Sequence, residues 1–219
     1  MRLILYGFHI CPFVEQSKII LIEKNILCEH VHVNIRNKPN WFLKLSPLGK
    51  VPILSANDTL IFESNVINEF LDETSLPSLH PSDPIQKAYN KSWIEWGNKL
   101  IFDAYNMTIA RDKTSFLELQ RTVGDKLSLL ENQVKTPYFN GNYFSLIDVT
   151  YAPLFFRFKS LAKQFSLDLL KDYPKLQIWS EHILERKSVQ SGFIGNFDEE
   201  LIILLKLKES FLVGSSTNS

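Results

Sequence analysis

The sequence predicts an α/β domain over residues 1–75 followed by an all-α domain over 86–212. Three observations predict this. The first third alternates short β-like runs with helix-spaced apolar positions. Residues 76–84 then carry three prolines in nine residues, the composition of a linker, which we extend over 76–85. Everything after the linker reads as helix. A chain of 219 residues can bury the cores of two such domains.

Each element has its own signal. Arg2 to Tyr6 reads as a strand, and Pro12 to Lys24 as a helix with Val14, Ile19, Ile20 and Ile22 at helical spacing. Pro12 suits a first helical turn, where its missing N–H costs nothing. His30 to Ile35 alternates polar and apolar residues as a half-buried strand does. Val51 to Leu54 and Leu60 to Phe62 are short apolar runs around the turn pair Asn57-Asp58. Ser64 to Glu73 is helical again. The order β-α-β-(short helix)-β-β-α is the thioredoxin-like plan, with parallel strands joined by a crossover helix and a hairpin supplying an antiparallel edge.

In the second domain, Pro84 to about Ala110 and Ser115 to Val134 are long amphipathic stretches. Ser145 with Asp148 three residues on is a capping box, and Phe144 with Val149 a hydrophobic staple, so a helix starts there. Pro174 opens another helix through Trp179, and Asp198 to Leu212 reads as the last one, followed by a polar tail over 213–219 expected to be disordered.

Composition excludes several classes. Lys+Arg and Asp+Glu are both 24, so the net charge is zero and no overall basic footprint of a nucleic-acid binder exists. No polybasic cluster for an anionic membrane is read, and no apolar run reaches the roughly 18 residues of a membrane span. The apolar start is short and lacks a small-residue cleavage site, so a first strand is expected rather than a signal peptide. Two cysteines in a chain of this length point to free thiols and a cytoplasmic location.

The chemistry centres on His9-Ile-Cys-Pro-Phe. Cys11 falls between the first strand and the first helix, where unpaired N–H groups and the helix dipole favour an anion. A thiol of pKa about 8.5 is only a few per cent ionised at neutral pH, whereas one lowered to about 5–6 is mostly thiolate. Val14 occupies the position a second cysteine would need for internal disulfide closure, so the second thiol must come from solution. Cys28 reads as a small apolar filler.

Val51-Pro52 opens a strand, the place where this plan carries a cis-proline; the Val51 N–H and C=O would then pair with an extended peptide. Glu63-Ser64 sits where a strand enters a helix, with donors for a carboxylate and Glu63 for an ammonium. Lys38 offers a charge to another carboxylate. A thiolate, a strand-edge backbone pair and an amino-acid clamp, in that order, match the cysteinyl and γ-glutamyl groups of glutathione. His30 and His32 share a strand face without a third ligand, so no metal is expected.

These segments resemble a cysteine-type glutathione transferase, omega-class-like. The resemblance runs through His9 to Gln16, Asn34 to Phe42, Pro47 to Leu54, Leu60 to Asn65, the box at Ser145 to Asp148, and Pro174 to Trp179. It implies the glutathione transferase fold, with glutathione as co-substrate. Cys11 is then the catalytic residue, forming a mixed disulfide, and Phe13, Lys38, Val51, Pro52, Glu63 and Ser64 bind glutathione. His9, Arg157 and Trp179 are placed at the acceptor pocket, and a homodimer is expected. Gln16 departs from the arginine often found there, and His9 either tunes the thiolate or is a solvated loop residue.

The function implied is glutathione-dependent thiol transfer and reduction, of a small disulfide, a glutathionylated acceptor or dehydroascorbate. Two alternatives remain open at this point. Stringent-starvation-type adaptors, which bind a protein partner without catalysis, resemble the architecture more distantly, and Cys11 with Glu63-Ser64 argues against them. Conjugation of glutathione to electrophiles uses the same tripeptide site, but a cysteine there tends to trap the tripeptide as a disulfide, so it should be weak.

Overall fold

The computed structural model describes residues 1–215. It divides into two compact units, residues 1–79 with 187–194, and residues 80–186 with 195 onward.

Unit 1 is built on a four-stranded sheet. Strands β1 (Leu3–Gly7), β2 (Glu29–His32), β3 (Ile53–Ala56) and β4 (Thr59–Phe62) lie in the order β2-β1-β3-β4. β1 and β2 are parallel; β3 is antiparallel to both β1 and β4. Helices α1 (Pro12–Glu23), α2 (Asn40–Leu45) and α3 (Ser64–Glu73) complete the order read from the sequence. Leu3 and Leu5 of β1 and Ile53 and Leu54 of β3 are buried, as are Ile19 and Ile20 of α1 and Ile67 and Leu71 of α3. The β2 strand is shorter than its alternation suggests. Val33 is fully buried and its N–H still reaches Gly7 C=O, but Asn34 Oδ1 then accepts from the N–H groups of Arg36 and Asn37 and turns the chain.

Register decides where the site lies. Gly7 pairs with His32, and Tyr6 with Ile53, which pairs with Phe62. The ends of β1, β2 and β4 and the start of β3 therefore share one end of the sheet. Gly7 lets α1 come down onto β1 there, since a Cβ on it would stand 2.5 Å from Val14 Cγ1.

α1 and α3 are joined by a buried polar seam. Ser17 Oγ donates to Asn68 Oδ1 at 2.8 Å, and Asn68 Nδ2 donates to Gln16 Oε1 at 3.2 Å. At their far ends Lys24 Nζ donates to the Asp72 carboxylate and to the Asp72 and Pro77 carbonyls. Asp72 also accepts from Ser78 Oγ and Leu79 N–H, so the first residues of the linker are tied to unit 1 rather than free of it. A second difference from the expected boundaries is helix α8 (Lys187–Gly192), which belongs to unit 1. Ser188 Oγ donates to Glu23, and Gly192 lies against Ile19 so closely that a Cβ would be 2.7 Å from its Cγ1.

Unit 2 contains α4 (Pro84–Thr108), α5 (Lys113–Glu131), α6 (Leu146–Phe165), α7 (Pro174–Leu184), α9 (Phe197–Leu207) and α10 (Phe211–Ser215). Asp83 and Asp112 cap α4 and α5 by accepting from the N–H groups of Gln86 and Ser115. The helix expected over 198–212 is two helices: Glu209 adopts φ 56°, and Ser210 turns back to donate from Oγ to Thr108 C=O at 2.6 Å. The expected tail begins inside α10, which reaches Ser215; residues 216–219 lie outside the described residues. No helix among the described residues is long and apolar enough to cross a membrane.

Candidate active site

Cys11 is the N-cap of α1. Its extended backbone (φ −79°, ψ 120°) leads into Pro12, and its carbonyl accepts from Val14 and Glu15 N–H at 3.0 Å. Its own N–H donates to Phe8 C=O at 3.1 Å, closing the turn that carries His9 and Ile10. The thiol thus stands half-buried at the positive end of a twelve-residue helix. Neither cysteine is in a disulfide. Cys28 is different in kind, because burial pushes its thiol up to about 11, further raised by Glu29 and only partly offset by the Leu5 backbone.

The Val51-Pro52 bond is cis. Val51 precedes β3 at the site end of the sheet, and among the described residues its N–H and C=O carry no hydrogen bond. Glu63 is the N-cap of α3 with φ 68° and ψ 117°, a conformation L-residues rarely hold. Such strain costs about 1–3 kcal/mol and persists where surrounding structure imposes it. α3 begins beside the end of β4, at the same end of the sheet as Cys11. Lys38 is exposed in the loop after β2, with Nζ 3.9 Å from where a Cβ on Gly49 would stand. Phe13 is half-buried in the first turn of α1. Topology therefore gathers Cys11, Phe13, Lys38, Val51, Pro52, Glu63 and Ser64 at one end of unit 1.

His9 was legible only in part. Its ring stacks on His32 of β2, centroids 3.9 Å apart and planes 17° from parallel, with Phe8 tilted against the same ring. It is thus held against the sheet edge rather than loose in the loop. His32 was the residue the sequence did not single out for the site; its shared strand face with His30 was the available signal. Burial, and then Lys18, lower the pKa of His30. Among the described residues no group of three or more His, Cys, Asp or Glu could hold a metal.

The residues expected at an acceptor pocket in unit 2 fare differently. Trp179 is fully buried, packed on Phe139, Tyr151 and Phe155, with Nε1 donating to Asp148 Oδ1 at 2.6 Å. It presents no surface to a ligand and is a core residue, which corrects that expectation. Asp148 is the centre of this core: Oδ2 accepts from Ser145 N–H and Oγ, and Oδ1 from Phe139 N–H as well as Trp179. Burial pushes its carboxyl up, against the pull of those donors. Arg157 donates to Pro153 C=O one turn back and lies 5.1 Å over the Phe197 ring. Phe144 lies under the Arg186 guanidinium at 4.0 Å and packs edge-on to Tyr138.

A thioredoxin-like unit with a helix-capping cysteine is thus joined to a helical unit with a buried capping box, and both halves match family models. The family model for the glutathione S-transferase N-terminal domain matches residues 5–78, and that for the C-terminal domain residues 94–187. The chain belongs to the glutathione S-transferase family. Within it, the chain is similar to omega-class proteins. Glutathione S-transferase omega-1 of Rattus norvegicus is 31% identical over 194 residues, covering 86% of this chain and 79% of that one. Glutathione S-transferase DHAR3, chloroplastic, of Arabidopsis thaliana is 28% identical over 81% of this chain and 67% of its own. The crystal structure of glutathione transferase Omega 3C from Trametes versicolor superposes with a TM-score of 0.79 at 28% identity, covering 88% of this chain and 89% of that one.

Proposed function

We propose that this glutathione transferase is of the cysteine type and works as a thiol transferase and reductase. The observation that supports it is Cys11 as the N-cap of α1, at the same sheet end as Val51 and the Glu63-Ser64 turn, with Val14 where a resolving thiol would stand. The Val51 N–H and C=O pair with the cysteinyl residue of glutathione, and Ser64 with the α3 N-terminus takes the γ-glutamyl carboxylate. Glu63 takes its ammonium, and Lys38 the remaining carboxylate.

The chemistry balances as two exchanges. The Cys11 thiolate attacks the glutathione sulfur of a mixed disulfide, forming Cys11–S–S–glutathione and releasing the acceptor as a thiolate that takes a proton. A second glutathione thiolate then attacks the glutathione sulfur of that adduct, giving oxidised glutathione and regenerating Cys11. Dehydroascorbate takes two electrons and two protons from two glutathione thiols, giving ascorbate and oxidised glutathione, with Cys11 carrying the first glutathione as the same mixed disulfide until the second thiol displaces it. Two cysteines outside any disulfide support a reducing, cytoplasmic setting, and the family resemblance supports a homodimer.

The test is turnover of the mixed disulfide of glutathione with 2-mercaptoethanol by wild type, Cys11→Ala and Cys28→Ala. Activity kept in Cys28→Ala and abolished in Cys11→Ala supports the mechanism; activity surviving in Cys11→Ala removes it.

A further inference from the structure

The charge of unit 1 is segregated. Residues 30–57 hold four cations, Arg36, Lys38, Lys44 and Lys50, and no Asp or Glu, whereas 58–79 hold five acids, Asp58, Glu63, Glu69, Asp72 and Glu73, and no Lys or Arg. All four cations are exposed, and among the described residues none is in an ion pair. The segment leaves the sheet at the end of β2 and returns at the start of β3, so it begins and ends at the site end.

This is more positive charge than the tripeptide needs. Glutathione carries two carboxylates and one ammonium, a net single negative charge. Lys38 and the α3 N-terminus answer both carboxylates, which leaves Arg36, Lys44 and Lys50 unanswered. The same segment exposes large apolar side chains between its cations: Trp41 at 43%, Leu43 at 49% and Leu48 at 55%. Trp41 is anchored from beneath, 5.9 Å from Tyr6 and edge-on to the fully buried Phe42. Trp41 and Arg36, both exposed, are of the residue types enriched at protein-contact surfaces.

We propose that this exposed segment, α2 and its flanking loops, docks acidic segments flanking a glutathionylated cysteine, making acidic glutathionylated proteins a preferred acceptor class. The inference rests on the thiol-transfer function proposed above and adds to it a partner. The cations steer an acidic chain toward the sheet end that holds Cys11, and Trp41 and Leu48 give it apolar contact. The attraction acts within about 8–10 Å at moderate salt and weakens as salt rises.

The test separates docking from chemistry. A fluorescent peptide holding one glutathionylated cysteine among glutamates, and its twin with lysines, are titrated into the full chain carrying Cys11→Ala, which blocks exchange. At low salt the acidic peptide binds at least ~10-fold more tightly, the preference collapses between about 50 and 300 mM salt, and Arg36→Glu/Lys44→Glu abolishes it. With Cys11 restored, that double variant loses the preference for the acidic peptide in kcat/KM while keeping turnover of the small mixed disulfide of glutathione with 2-mercaptoethanol, which brings no charge beyond that of glutathione itself. Equal binding of the two peptides overturns the docking surface even if both are reduced. Tight acidic binding without reduction of any disulfide keeps the surface and removes the chemistry. Binding of the chain to phosphatidylserine vesicles, with no preference between peptides, replaces the protein partner with a lipid surface and overturns the proposal.

Discussion

Lys24 Nζ lies 2.7 Å from Asp72 Oδ1, and both side chains are all but closed to solvent, at 3% and 2% exposure. The pair joins the C-cap of α1 to the last turn of α3, and the same ammonium reaches the Pro77 carbonyl. Burial disfavours the Asp72 charge, but the Lys24 hydrogen bond, the Leu79 N–H, the Ser78 hydroxyl and the Lys24 charge together hold its carboxyl below the ordinary carboxylate range. A depressed folded-state value stabilises the fold above the unfolded value of about 3.9. That contribution is lost as pH falls through the folded-state value. Urea midpoints should therefore drop on acidification below about pH 4 in wild type. Asp72→Asn should already be destabilised at neutral pH by about 3–5 kcal/mol, because Lys24 is left buried and uncompensated. Its stability should then depend less on pH over the acid range.

The Asp148 hub carries the helical unit. Ser145→Ala removes one donor and should cost about 1–2 kcal/mol. Asp148→Asn turns an amide N–H₂ toward groups that are themselves donors, and should cost about 3 kcal/mol. Because both act on one network, the double variant should cost less than the sum, a coupling that urea denaturation of the four-member cycle measures directly.

Gly7 ends β1 beneath the first turn of α1, with the space for a Cβ already filled by Val14. Gly7→Ala should destabilise by about 1–3 kcal/mol through overpacking. Adding Val14→Ala should recover part of that loss. No recovery in the thermal midpoint would show that the clash is not with Val14.

At the proposed tripeptide site, Glu63→Gln keeps the shape of the turn and removes one charge. We expect KM for glutathione to rise ~10-fold with kcat little changed, the pattern of lost uniform binding. Steady-state kinetics across glutathione concentration read this. Cys11→Ser should abolish disulfide reduction and raise conjugation of a chlorinated aromatic, since a hydroxyl stabilises the glutathione thiolate without trapping it.

Features coded over a few residues were legible in the sequence. Pro12 after a short strand located the α1 N-terminus, Val51-Pro52 the start of β3, and Ser145 with Asp148 the cap of α6. Contacts between distant segments were not. His9 on His32, Lys24 on Asp72 and Ser188 on Glu23 join residues far apart in sequence, and no local pattern reports such a meeting. Glu209 shows a further limit: the helix read over 198–212 is broken at one left-handed residue, after which Ser210 returns to the end of α4. Trp179 was placed at the pocket by resemblance alone, whereas in this chain it is fully buried in the core. Its burial is decided by the Asp148 carboxylate 31 residues earlier, which takes the indole N–H.

The central claim is that Cys11 alone exchanges with glutathione. Intact-mass and peptide-mapping measurement after incubation with oxidised glutathione tests it most directly. One glutathionyl group on Cys11, none on Cys28, its loss on adding reduced glutathione and its absence from Cys11→Ala are the predicted result. An unmodified chain, or an adduct carried by Cys28, would contradict the account.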